Sequence, residues 1–278
     1  MAQQTPTVLF VHGSWHTPSH FVKIREIFED AGYPTSCPRQ PSVGASPPIG
    51  LMEDAKCIHG ELGRLVNEGR DVIIVAHSYG GVVTTQAVEE VFSKKKRLES
   101  GQRGGVLSLV YMCAFMLARD TSLAGTFEGK LPPWIAIDSV RTKRFAAMIV
   151  PQLTIRQESG MCEPVDGGKV FYHDVEPAER DQAISQLLQS PASTQTTPIT
   201  HLAYLHHPVC YLYCMEDQAL PYVVQQMMVR NVCKQYGVSF AKHHLNASHS
   251  PFLSMPERVL EVVQQIAEDN QRRQIGSK

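Results

Sequence analysis

The chain has 278 residues, 43% hydrophobic and 19% charged: enough apolar material for one large α/β domain, and too much for a disordered chain. With 26 basic residues against 27 acidic ones the net charge is −1, which removes any general electrostatic reason to expect nucleic acid or an anionic membrane as partner. Seven cysteines, an odd number without a Cys-x-x-Cys pair, speak against both a disulfide framework and a zinc ribbon.

Cys113, Cys210 and Cys214 fall in apolar runs and read as buried small hydrophobes, and reduced thiols suit the cytosol. The opening Met1-Ala-Gln-Gln-Thr-Pro6 has no basic region, the apolar run over 8–11 is too short for a signal sequence, and no stretch reaches transmembrane length. A cytoplasmic protein without a membrane partner is expected; the oligomeric state is left open.

Residues 7–11 (Thr-Val-Leu-Phe-Val) predict a first strand. It leads into His12-Gly-Ser-Trp-His-Thr-Pro18, where Thr17-Pro18 suits an N-cap and first helical position. Phe21, Ile24, Ile27, Phe28 and Ala31 then recur at helical spacing until Gly32 closes the helix. A short strand over 33–37, a loop rich in proline, serine and glycine over 38–50, and a helix over 52–67 follow. The β-branched run 71–77 predicts a buried strand, 82–92 a helix, and 106–113 another strand apolar throughout. The basic run Lys94-Lys-Lys-Arg97 is expected as the solvated end of the 82–92 helix, where cations favour the helix dipole.

From 115 to 198 the rhythm breaks: proline and glycine are scattered, and only helical pieces over 142–149 and 177–188 stand out, with no core strand. The α/β pattern resumes with a strand over 209–215, a helix over 222–236, a strand over 239–245, a helix over 256–268 and a frayed tail over 271–278. Strands apolar on both faces, alternating with helices, predict a mostly parallel sheet covered on both sides. The expected organisation is a core of 1–114 and 199–278 with a helical cap, 115–198, inserted at the strand ends.

Ser78 lies on the turn between the 71–77 strand and the helix after it, in Ala76-His-Ser-Tyr-Gly-Gly81. A serine hydroxyl attacks well only when held in the open beside a base, and a G-x-S-x-G elbow does that. Here Ala76 replaces the first glycine and Gly80 keeps the second. The general base is expected to be His249, in Asn246-Ala-Ser-His-Ser-Pro-Phe252 between the last strand and the last helix. His77 adjoins the serine, but neighbours on a sharp elbow point apart. His243 and His244 sit within a strand, His206 and His207 precede one, and His12 holds its own loop, so these read as structural. The orienting acid is expected to be Asp217 in Cys214-Met-Glu-Asp-Gln-Ala-Leu-Pro221, with Glu216 the rival if the turn shifts by one. Oxyanion donors are expected from the backbone N–H groups of Ser14 and Tyr79. Every candidate falls at the carboxyl end of a strand, where open α/β sheets place ligands.

These residues, with the motifs Val11-His-Gly-Ser-Trp15, Ala76-His-Ser-Tyr-Gly-Gly81, Glu216-Asp-Gln-Ala-Leu-Pro221 and Ser248-His-Ser-Pro-Phe-Leu-Ser254, make the chain resemble the α/β-hydrolase superfamily over almost its whole length. Its compact build is similar to the branch holding plant methylesterases, hydroxynitrile lyases and small microbial esterases. The resemblance implies a Ser78–Asp217–His249 triad, a helical cap to which Phe171-Tyr-His-Asp174 and 177–188 belong, and for some microbial relatives a place in secondary metabolism. The lyases carry a lysine directly after the triad histidine; here that position is Ser250, which speaks against cyanohydrin cleavage.

The function expected first is hydrolysis of a small-to-medium, apolar carboxylic ester or lactone, with Trp15, Phe115, Met116, Trp134 and Met148 lining the site or cap. C–C bond cleavage, cyclisation or elimination on a polyketide-like intermediate is the alternative, and a non-catalytic ligand receptor the third reading. A small-molecule substrate is the expected partner. No cofactor is expected, since Gly101-Gln-Arg-Gly-Gly105 lacks the strand-then-helix setting of a phosphate loop, and no metal, since the histidines lack ligand spacing.

Overall fold

Side chains alternate across a strand, so a run apolar at every position has to be covered on both faces. The computed structural model, which describes residues 5–137 and 160–276, has that arrangement. Strands β1 (Thr7–Val11), β3 (Asp71–His77), β4 (Gly105–Met112) and β8 (Val209–Cys214) form the centre of a six-stranded sheet, with β2 (Thr35–Ser36) and β9 (Ala241–Leu245) at its edges. The order is β2-β1-β3-β4-β8-β9 and every neighbouring pair is parallel. Leu9, Val11, Val72, Ile74 and Ala76 face one core with α2 (Leu51–Asn67), α3 (Gly80–Ala87) and α8 (Tyr222–Tyr236). Val8, Phe10, Ile73 and Val75 face the other with α1 (Val22–Asp30) and α10 (Pro256–Gly276). Among the described residues no helix is long and apolar enough to cross a membrane.

Three expectations are corrected. The helix after Ser78 does not reach Phe92: it ends at Ala87, Val88 turns extended, and a 3₁₀ turn covers Glu90–Phe92. Its short span includes the β-branched run Val82-Val-Thr-Thr85, which favours a helix weakly. The basic run is therefore not the end of that helix but the start of a separate one, α4 (Lys94–Glu99). Arg97 is buried, and its guanidinium donates to the carbonyls of Val66, Arg103 and Gly104, tying the end of α2 to the start of β4. Lys94 pairs with Asp71 at 2.6 Å. Finally, α10 continues to Gly276 where a frayed tail was expected; Arg272 pairs with Glu268 one turn back, a spacing that supports a helix.

Between β4 and β8 the chain builds a second, antiparallel sheet of β5 (Ile135–Ile137), β6 (Met161–Pro164) and β7 (Ser190–Pro191), with α5 (Gly167–Tyr172), α6 (Pro177–Ser185) and α7 (Ser193–Thr196). Strands this short carry too few residues to display an alternating pattern, so sequence periodicity does not find them. Helix α6 falls inside the expected 177–188 piece; the expected helix over 142–149, with Met148, lies outside the described residues.

Two buried histidines serve the fold. The Gln40 N–H donates to His12 Nε2 at 3.1 Å, and His207 Nε2 donates to the Glu89 carbonyl at 3.1 Å. Burial pushes both imidazoles down to about 4. An unfolded chain, with histidines near 6.5, binds protons between pH 6.5 and 4 that the folded chain does not. Stability therefore falls as pH drops through that window, by up to about 1.4 kcal/mol per pH unit for each such histidine. The urea midpoint should decline from pH 7 to pH 5; a constant midpoint contradicts this account.

Glycine positions give a second test. A Cβ at Gly80 would stand 2.2 Å from the Val11 carbonyl oxygen, whereas one at the exposed Gly60 of α2 meets nothing within 4 Å. Gly60→Ala should raise unfolding free energy by about 1 kcal/mol. Gly80→Ala should lower it by about 1–3 kcal/mol through overpacking. Equal urea midpoints for the two variants would refute the packing argument.

Candidate active site

Strand β3 ends in a turn whose backbone is held from three sides. The Ser78 N–H donates to the Met112 carbonyl at 3.4 Å, and its own carbonyl accepts from the N–H groups of Phe115 and Gly81, both at 3.0 Å. Ser78 has φ = +55°, a left-handed conformation that a non-glycine residue adopts only when its surroundings impose it. It is partly exposed between two buried neighbours, His77 and Tyr79. The loop after β1 comes close on one side: a Cβ at Gly13 would lie 2.9 Å from the Ser78 Cβ, so only glycine fits there.

His249 lies in the loop between β9 and α9 (Pro251–Ser254), and its Nδ1 donates to Asp217 Oδ2 at 2.7 Å with both side chains buried. The structure brings Asp217 to the imidazole and leaves the rival Glu216 exposed. The Asp217 carboxylate is held by its own turn: Oδ1 accepts from the N–H groups of Ala219 and Leu220, each at 2.8 Å, and Oδ2 also accepts from Gln225 Nε2 at 3.2 Å. With Nδ1 turned toward the carboxylate, Nε2 is the nitrogen left to exchange a proton.

Three neighbours of this arrangement are not foreseen from sequence. His77 Nε2 donates to the His249 carbonyl at 2.8 Å, the Cys113 thiol approaches the same oxygen at 3.3 Å, and the His77 and His249 rings lie 4.7 Å apart. Burial holds His77 well below the ordinary histidine range, so it stays neutral and ties down the His249 loop by its backbone. Gln225 is the third; it shares the buried stripe of α8 with Met228, Val229 and Val232, and a lone amide in such a stripe is the signal that finds it.

Ligand atoms of His77, Cys113 and His249 also come within 4.8 Å of one another. They fit a metal ion poorly. Burial pushes the Cys113 thiol well up, keeping it protonated, and two of the three groups are engaged with the His249 carbonyl.

Among the described residues, the backbone N–H groups of Ser14 and Tyr79 make no hydrogen bond. The Tyr79 phenol donates to Asp54 Oδ2 at 2.9 Å, anchoring the residue after Ser78 to α2. Trp15, at φ = +65°, packs its ring between Trp134 (5.8 Å) and Phe171 (6.0 Å) and donates Nε1 to the Cys162 carbonyl at 3.0 Å. Phe115 and Met116 are buried in the core just beyond β4, with the Phe115 ring 6.2 Å from Phe127. Ser250, next to His249, is buried, and its N–H donates to Ser248 Oγ at 3.2 Å.

Among known proteins, the alpha/beta hydrolase nvfD of Aspergillus novofumigatus is 30% identical over 266 residues, which covers 94% of this chain and 96% of the relative. A solved pyrethroid hydrolase from Sphingobium faniae superposes with a TM-score of 0.65 at 21% identity, covering 95% of this chain and 98% of its own. The methylesterase MES16 from Arabidopsis gives a TM-score of 0.65 at 16% identity, covering 95% and 99%. At those identities the two structures attest the fold. The family match extends over residues 8–262, a span that takes in the Ser78 elbow, the Asp217 turn and the His249 loop together, and the chain belongs to the alpha/beta hydrolase family.

Proposed function

We propose that the protein is a serine hydrolase that cleaves a small-to-medium, apolar carboxylic ester or lactone through Ser78, His249 and Asp217. The observation that carries this reading is the buried 2.7 Å bond from His249 to a carboxylate that its own turn already holds, in a loop whose backbone carbonyl meets His77, the residue before a serine at φ = +55°. His249 Nε2 takes the Ser78 proton as Oγ attacks the substrate carbonyl. The tetrahedral oxyanion is received by the free N–H groups of Ser14 and Tyr79. His249 then returns its proton to the departing alcohol oxygen, and water, deprotonated by the same imidazole, cleaves the acyl-enzyme. Asp217 keeps the imidazole oriented and stabilises it while it is charged.

Residues 1–114 and 199–278 form the core in this reading, and 115–198 the cap. Trp15, Phe115, Met116 and Trp134 supply apolar wall for the acyl or alcohol group. Ser250 provides no cation beside the base, in keeping with hydrolysis rather than release of an anion such as cyanide.

Ser78→Ala should lower kcat on an activated ester by about 10⁶, and Asp217→Asn by about 10⁴. A fluorophosphonate should label the wild type and not Ser78→Ala, read by intact-protein mass spectrometry. Wild-type turnover in Ser78→Ala defeats the proposal. Labelling of Ser78 without turnover of any ester or lactone in a broad panel would replace it with C–C bond or cyclisation chemistry at the same serine.

A further inference from the structure

The turn Phe171-Tyr-His-Asp174, which closes α5, has no part in the mechanism above, yet it reaches both loops of the site. Toward the first loop, the buried Tyr172 donates its phenol proton to His16 Nε2 at 2.8 Å, and His16 Nδ1 donates to the Ser14 carbonyl at 2.8 Å. The direction of this chain is forced. A carbonyl only accepts, so Nδ1 carries the proton, and burial holds His16 well below the ordinary range, so Nε2 offers a lone pair. Toward the second loop, Asp174 Oδ2 accepts from the Ser248 N–H at 2.8 Å and the Phe171 carbonyl accepts from the Ser248 hydroxyl at 3.0 Å. Ser248 immediately precedes His249, and the Phe171 ring lies 5.6 Å from the imidazole. Nearby segments add to the first grip: Gln195 Nε2 donates to Ser14 Oγ at 3.0 Å, and the Leu188 N–H donates to the Trp15 carbonyl at 3.0 Å.

We propose that Tyr172 and Asp174 are positioning residues which set the Ser14 N–H and the His249 imidazole in one register, so that oxyanion site and base are assembled by a single short turn. This rests on the roles given to Ser78, Ser14 and His249 above. Polar links threaded through an otherwise apolar contact fix geometry in a way that apolar packing does not, because each partner is costly to leave unpaired. A misplacement near 1 Å costs a reaction about a hundredfold. The effect belongs to the transition state, since the oxyanion and the imidazolium exist only there.

The experiment compares Tyr172→Phe, Asp174→Ala and Asp174→Asn with wild type on a p-nitrophenyl ester. It also compares their affinity for an aryl trifluoromethyl ketone, which adds to Ser78 and places an oxyanion, and for the unreactive secondary alcohol of the same shape. Tyr172→Phe, which deletes one oxygen, should lose about ten- to a hundredfold in kcat and in ketone affinity, with KM and alcohol affinity changed by no more than about twofold. Asp174→Ala should lose kcat similarly, and Asp174→Asn, which keeps an acceptor, should recover most of it. Tyr172→Phe carries the test alone if Asp174→Ala fails to fold by circular dichroism. An active wild type beside a Tyr172→Phe variant with unchanged kcat and ketone affinity, or with its whole loss in KM, overturns this inference and leaves the proposed function standing. A wild type that neither turns over esters nor takes the fluorophosphonate overturns both.

Discussion

A serine held at φ = +55° is the constraint on which the site is built. Left to itself that backbone would relax, since such a conformation costs about 1–3 kcal/mol. It persists because β3 and β4 are already paired through His77 and Met112, and the residues just past both strands then bond across the turn. Small side chains are what let this happen: Gly13 and Gly80 bring the loop after β1 and the start of α3 within contact of the turn, where a methyl group would collide. Because all the main strands run parallel, the loops after β1, β3, β4, β8 and β9 emerge along one edge, so Ser14, Ser78, Asp217 and His249 share that edge although they lie far apart in sequence.

Convergence alone would not keep charged and polar groups in a buried place. Asp217 is tolerated there because two backbone N–H groups and Gln225 share its negative charge with the imidazole. The same logic applies to the histidines around it. His12, His16 and His77 are all kept neutral by burial, and each bonds to backbone, so they act as rigid struts rather than as charges. The site is surrounded by imidazoles, yet most of them serve to hold loops.

What could be read from the chain follows from how locally each feature is encoded. β3 and α8 have the predicted limits because an unbroken apolar run and a continuous helical stripe are properties of consecutive residues. Ser78, Asp217 and His249 stand out as candidates because each lies in a turn or loop that follows a strand, with small or capping residues around it. Arg97 was not, because the carbonyls that bury it come from the end of α2 and the start of β4, brought together only by the fold. His77 adjoins the serine on an elbow where neighbours point apart, and what its ring meets is the carbonyl oxygen of His249, a partner 172 residues away that no local pattern reveals. The early end of α3 and the short strands β5 to β7 were missed because neither a 3₁₀ turn nor a strand of two to four residues leaves a periodic trace.

The pairing of β4 with β8 joins residues on either side of the excursion that leaves the sheet after Met112 and returns at Val209. Lengthening the chain between two paired strands costs closure entropy only logarithmically, about 0.6 kcal/mol for each doubling of its length. Selection can therefore lengthen, trim or recompose that stretch with little penalty to the sheet, so long as Leu109 still finds Val209. The order of assembly is affected more than the final stability. β1, β3 and β4 can zip together as a contiguous block while the chain is still being made, whereas the aspartate and histidine loops can join them only after the whole excursion has been synthesised.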